Sequence, residues 1–160
     1  SIGGAARNWL AAVNANSGMA TPWIPQLAGG LVNALAVDGN SVFAAGEFSL
    51  VEGQMRPSLI ELDAATGAAS PWRPDPDGQV YAIAIADGIL YAAGNFRTIA
   101  GQPRERVASF KRADLALTGW TSDADGLVYA MSVSGPLLHV GGIFTSVGSK
   151  AKSGFAMIAR

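Results

Sequence analysis

With 160 residues, 49% of them hydrophobic and only 14% charged, the chain is long enough for one domain and too apolar to remain disordered. Its 11 Lys+Arg stand against 12 Asp+Glu, so it lacks the basic excess that holds nucleic acid or anionic lipid, and no apolar run approaches the ~18 residues of a membrane helix. The absence of cysteine removes a disulfide framework, a thiolate metal site and a cysteine nucleophile together, while 20 glycines point to short strands joined by tight turns.

The N-terminal Ser1-Ile2-Gly3-Gly4 carries neither a basic n-region nor an apolar h-region, so any targeting peptide is expected to have been removed or to lie outside this sequence. Segment 7–13 reads as a strand, and 18–23 as an outer strand running up to Trp23. Val32-Asn33-Ala34-Leu35-Ala36-Val37 then begins a pattern that returns as Val80-Tyr81-Ala82-Ile83-Ala84-Ile85 and as Val128-Tyr129-Ala130-Met131-Ser132-Val133, at an offset of 48 residues each time. The same offset relates Gly46, Gly94 and Gly142; Phe48, Phe96 and Phe144; Arg56, Arg104 and Lys152; and Trp72 and Trp120. Aligned without gaps, residues 49–96 and 97–144 share 15 identities in 48 positions, which establishes an internal repeat.

Within the repeat, 79–85 is apolar and β-rich, Asp87-Gly88 signals a hairpin turn, and 89–96 reads as its partner strand. A third strand follows at 105–110, with its counterpart at 57–62, and a fourth at 115–120. Segment 153–159 closes the chain as a last strand. Four antiparallel strands recurring every 40–50 residues are the period of β-propeller blades, whereas helical repeats need longer unbroken stripes than the frequent turn glycines allow. The expected fold is therefore all-β. It is one half-propeller domain over 1–160, with repeats at about 1–48, 49–96 and 97–144 and a closing segment 145–160, giving about three four-stranded blades.

The segments Leu90-Tyr91-Ala92-Ala93-Gly94, Leu138-His139-Val140-Gly141-Gly142 and Asp63-Ala64-Ala65-Thr66-Gly67 with its following Trp72 resemble kelch-type blades. The run from Phe48 through Val51, Gly53 and Gln54 to Arg56, repeated from Phe96 to Arg104 and joined to an Ala-Thr-Gly turn, is similar to the delta-sixty type repeats of bacterial secreted and surface β-propellers. The third repeat departs from this pattern, with Lys111-Arg112-Ala113-Asp114 in place of the Asp-Ala-Ala-Thr turn. The resemblance implies a fold and an extracellular or cell-surface location in bacteria, and it brings no catalytic residues with it. Because closed propellers have roughly four to eight blades, three are expected to be completed by a head-to-tail homodimer forming six. Each chain would then lend its segment 18–23 to its partner's last blade, with 7–13 and 153–159 competing for one place.

Candidate binding residues fall into two sets. Asp75 and Asp77, and Asp123 and Asp125, form Asp-x-Asp-Gly loops that could wrap a calcium ion, but turn formation explains them more simply. Arg56 and Arg104, with Arg7 and Lys152, could ring an anion, although recurrence in every repeat favours a bond to loop carbonyls. His139 is the only histidine and replaces Phe43 and Tyr91, so it reads as a packed residue. Trp23, Trp72 and Trp120 read as packing between blades, and Trp9, without a counterpart, as a local or subunit contact. No metal, cofactor or catalytic set is expected. The function expected is a non-enzymatic binding or assembly module of a secreted or surface protein, with itself and a carbohydrate or protein as partners and the ligand on the loop face. The alternatives are a polysaccharide hydrolase or lyase using the four aspartates, and an engineered or proteolytic fragment without a ligand.

Overall fold

The computed structural model describes residues 1–4 and 6–160, and every regular element among them is a β-strand. The first repeat holds β1 (Leu27–Ala28), β2 (Val32–Asp38), β3 (Ser41–Gly46), β4 (Leu50–Val51), β5 (Gln54–Met55) and β6 (Leu59–Asp63). The second holds β7 (Val80–Ala86), β8 (Ile89–Gly94), β9 (Thr98–Ile99), β10 (Gln102–Pro103) and β11 (Val107–Lys111). The third holds β12 (Leu127–Ser134), β13 (Leu137–Ile143), β14 (Ser146–Val147), β15 (Lys150–Ala151) and β16 (Phe155–Ala159). All pairings are antiparallel. The first sheet is ordered β2-β3-β6, the middle β7-β8-β11 and the last β12-β13-β16, with a small hairpin between the second and third strands of each.

The turns explain these meanders. Asp87 and Gly88 both take positive φ (48° and 73°), the left-handed pair whose twist suits a two-residue hairpin. Glu52-Gly53 and Ala100-Gly101 do the same at the tips of the small hairpins, as do Gly148-Ser149. In the Asp63 turn, the Asp63 carboxylate accepts from the Ala65 and Thr66 amides and the Thr66 hydroxyl. The turn after β11 keeps this form despite its different sequence: Leu115 N–H donates to Lys111 O at 2.8 Å as Gly67 does to Asp63 O at 2.9 Å, and Leu115 takes φ 56° where glycine stood.

The fourth strand expected at 115–120 is only one bridge long. Phe110 bridges Leu117, Leu62 bridges Ala69, and in the N-terminal segment Val13 bridges Ala20; the expected strands 7–13 and 18–23 thus reduce to that last contact. Pro22 and Pro71 explain the early end, because proline has no N–H to extend a ladder; Gly119 holds the same place in the third case. The following tryptophan then leaves the strand and turns into the core.

Three apolar clusters lie between successive layers rather than within one sheet. Phe43, Ala45 and Leu59 of the first sheet meet Ile83, Leu90, Ala92 and Phe110 of the middle one. Tyr91, Ala93 and Val107 meet Leu138, Val140 and Ala156 of the last. Leu10 and Trp23 of the N-terminal segment cover Ala44, Ile60 and Leu62 on the far side of the first sheet. The first strands adjoin, with β7 against both β2 and β12.

Tryptophans wedge these layers. Trp72 meets Phe43 and Phe110 edge-on, with centroids 6.0 and 5.2 Å away, and donates its indole N–H to Leu115 O at 3.1 Å. Trp120 meets Tyr91 at 5.8 Å and donates to Ala159 O, and Trp23 donates to Asp63 O. Charged clasps reach backward from one sheet to the preceding one. Arg112 binds Asp38 at 2.8 Å and lies over the Phe43 ring, and Arg160 binds Asp87.

Candidate functional site

The Asp-x-Asp-Gly loops are built against the small hairpins. Asp77 accepts from the Arg97 and Thr98 amides at 2.7 and 2.9 Å. Asp125 accepts from the Thr145 and Ser146 amides at 2.8 and 2.9 Å and from the Thr145 hydroxyl at 2.6 Å. Asp123 accepts from the Glu105 amide at 2.9 Å, while Asp75 stands exposed with φ 36°. The first repeat solves the same problem without a carboxylate: Leu27-Ala28 pairs directly with Val51 and Leu50. The Thr145 hydroxyl and amide and the Ser146 amide hold the Asp125 carboxyl far below the usual carboxylate range. At Asp77 burial pushes the carboxyl upward, but the amides of Thr98 and Arg97 outweigh it and the net shift is down. Among the described residues, no group of three or more His, Cys, Asp or Glu is placed to hold a metal ion.

The recurrent cations serve the returning segment. Arg7 donates to Thr21 O and Arg104 to Thr118 O, both at 2.8 Å, and Arg56 donates to Ser70 O. Each ties the start of a third strand to the carbonyl 14 residues downstream. The structure therefore brings Asp77 and Asp125 to amides at the start of the small hairpins, Asp123 to the Glu105 amide ahead of β11, and Arg56 and Arg104 to carbonyls of the returning segments, and does not gather the two sets into one cleft. His139 packs on Phe155 with centroids 6.1 Å apart, and its buried Nδ1 has no partner.

A different set converges at the start of the inner strands. The pairing register slips between Val32 and Ala34, between Val80 and Ala82, and between Val128 and Ala130. These are β-bulges, which leave Asn33, Tyr81 and Tyr129 outside the ladder and re-aim them. Gly46, Gly94 and Gly142 make this possible, since a Cβ there would collide with the Leu31, Gln79 and Leu127 carbonyls. The Tyr81 and Tyr129 rings lie 5.1 Å apart, tilted by 37°, and the Tyr81 hydroxyl donates to Gln79 Oε1 at 2.6 Å. Burial, then the neighbouring Tyr129 and Glu47, push the Tyr81 phenol above its ordinary range. Glu47 and Asn95 are held beside the same strands by their amides, which donate to Leu31 O and Gln79 O at 2.8 Å. The alternation of strand residues hides this pair, because both tyrosines read as ordinary aromatic strand positions. The glycine recurring on the opposite strand is the signal that a bulge lies there. Comparisons with protein-family models, with curated proteins and with solved structures each returned no match.

Proposed function

We propose that the chain is a non-enzymatic assembly and binding module made of three consecutive β-propeller blades, closed by a second copy into a six-bladed ring. One observation carries this reading: positions buried in the middle sheet are open at the two ends. Val107 and Ser109 of the middle sheet are 0% and 1% exposed, but their counterparts Phe155 and Met157 in the last sheet are 56% and 58% exposed. On the opposite side, Ile83 is 8% exposed and its counterpart Leu35 in the first sheet 50%, with Val37 beside it at 68%. Apolar faces of this kind favour burial against a complementary sheet.

The end faces also match in charge. The clasps pair Arg112 with Asp38 and Arg160 with Asp87, whereas the first sheet has Ala64 where those arginines stand and the last has Gly135-Pro136 at the turn that would offer a carboxylate. Joining last sheet to first thus strands no charge. A groove of about 200 Å³ runs along β16, lined by Lys152, Val147 and Ala156–Ala159, where the equivalents of Lys152 hold the carbonyl of a returning segment. Segment 18–23 of the second copy would occupy it. The segment 7–13, which has one bridge and no ladder, yields its place to β16, which has a continuous ladder to β13.

Hydrolysis or lysis of a polysaccharide is the weaker reading. A glycosidic general acid must stay protonated near neutral pH, and both Asp77 and Asp125 are held in the opposite direction. Sedimentation of the whole chain at micromolar concentration tests the ring. A dimer that Val37→Lys converts to a folded monomer is expected; a monomeric wild-type chain sinks the proposal.

A further inference from the structure

We propose that the bulge row formed by Gln79, Tyr81, Asn95 and Tyr129, flanked by Asn33 and Glu47, binds a neutral pyranose sugar. The row is built from residues of the first, middle and last sheets of one chain.

The first argument is that this row breaks the symmetry of the repeat. Positions serving the strands themselves recur unchanged, as Gly46, Gly94 and Gly142 do, or Phe48, Phe96 and Phe144. Around the bulges the same places hold Leu31, Gln79 and Leu127; Asn33, Tyr81 and Tyr129; and Glu47, Asn95 and Ile143. Packing alone would ask for similar side chains at equivalent places, and here an amide, a phenol, a carboxylate and an isobutyl group alternate.

The second argument is geometric. Tyr129 is 46% exposed although it stands on an inner strand, and it leans on Tyr81 at 5.1 Å. At 5.1 Å and 37° the two rings stack obliquely, so Tyr81 backs Tyr129 and the outer face of Tyr129 is the open platform. A cation cage needs ring faces turned toward the cation from several sides. A platform suits the apolar C–H face of a pyranose, which lies flat on an aromatic ring. The hydrogen-bonding groups at its margin are mostly neutral amides, Gln79, Asn95 and Asn33, with Glu47 the single carboxylate, and such groups pair with sugar hydroxyls without demanding a charged ligand. Gln79 Oε1 is already held by the Tyr81 hydroxyl at 2.6 Å, and its amide also carries two N–H donors. A few convergent polar groups beside an apolar surface are the usual make-up of a small-molecule site.

The test is a titration of the isotope-labelled chain, followed by amide NMR, with methyl β-glucopyranoside, methyl α-mannopyranoside and N-acetylglucosamine, and with tetramethylammonium in parallel. At least one sugar is expected to give saturable shifts centred on residues 79–82, 95 and 128–130. Tyr129→Ala should weaken that binding by about 10-fold, the loss of one aromatic contact, whereas Tyr129→Phe stays within about 3-fold. Gln79→Ala, whose change lies at the margin, should weaken it without altering the spectrum elsewhere. The proposal is overturned if no sugar saturates, if the shifts centre on other residues, if Tyr129→Ala binds as the wild type does, or if tetramethylammonium binds more tightly than every sugar. Because the readout is local to one chain, a monomeric protein that still binds sugar would refute the ring alone, and a ring that binds none would refute this site alone.

Discussion

Immediately before the third strand of each unit, four unrelated side chains share one backbone conformation: Trp9, Ser58, Arg106 and Gly154 have φ of 64°, 62°, 67° and 73°. The reason is a pair of hydrogen bonds that only this turn closes, with the Ser58 amide donating to Phe48 O and the Ser58 carbonyl accepting from Gly46, repeated at Arg106 and Gly154. A left-handed residue with a side chain costs about 1–2 kcal/mol, so this geometry is kept for its hydrogen bonds and not for the side chain that occupies it. Trp9 shares the dihedral without that pair of bonds, and its ring is 51% exposed. At the same scale Asp125 makes stability depend on pH. Its carboxyl is held below the ordinary 3.8 by Thr145 and Ser146, so its contribution is complete above that value and is lost as pH falls below it. Urea unfolding should show Asp125→Asn less stable than wild type at about pH 6, with the gap narrowing toward about pH 2.5 as the unfolded chain's carboxylate takes up its proton while the native one is still ionised. A gap that stays constant with pH would refute the assignment.

Among the elements, the tryptophan wedge joins one sheet to the next. Trp72 touches aromatic rings from two sheets and closes a hydrogen bond to the second, so Trp72→Ala should cost about 3–5 kcal/mol, read as a lower urea midpoint, while Trp72→Phe retains part of the packing. Equal effects of the two would place the stabilisation elsewhere. The first three strands of each unit were legible because alternating residues and the Asp87-Gly88 turn are local signals. The fourth, expected at 115–120, is shorter than the repeat implies, because Pro22 and Pro71 in the other units, and Gly119 here, end it after one bridge. The two-residue strands β9 and β14 were not legible at all, because what holds them, Asp77 and Asp125, lies about twenty residues away along the chain. Of the candidate residues, the cations could be read as structural from their recurrence. The tyrosine pair could not be found that way, since a bulge shifts register without altering the apolar pattern.

For the whole molecule, the proposed covering of the open end faces by a second copy would couple folding to concentration. If a second copy covers Leu35, Val37, Phe155 and Met157, mass action stabilises the folded chain, and a tenfold increase in protein should raise the thermal midpoint by about 3 °C. A midpoint independent of concentration would mean that both faces remain uncovered. The arginine clasps add little to this stability, because their carboxylates are well exposed, 48% at Asp38 and 77% at Asp87. Their consequence is of another kind. Arg112 finds Asp38 and Arg160 finds Asp87, while Ala64 and Gly135-Pro136 leave the outer ends blank, so the clasps number the units in sequence. Three units of one architecture are in this way not interchangeable: a shuffled chain would keep every strand and every wedge, yet present arginine to a blank turn and strand a carboxylate at an end.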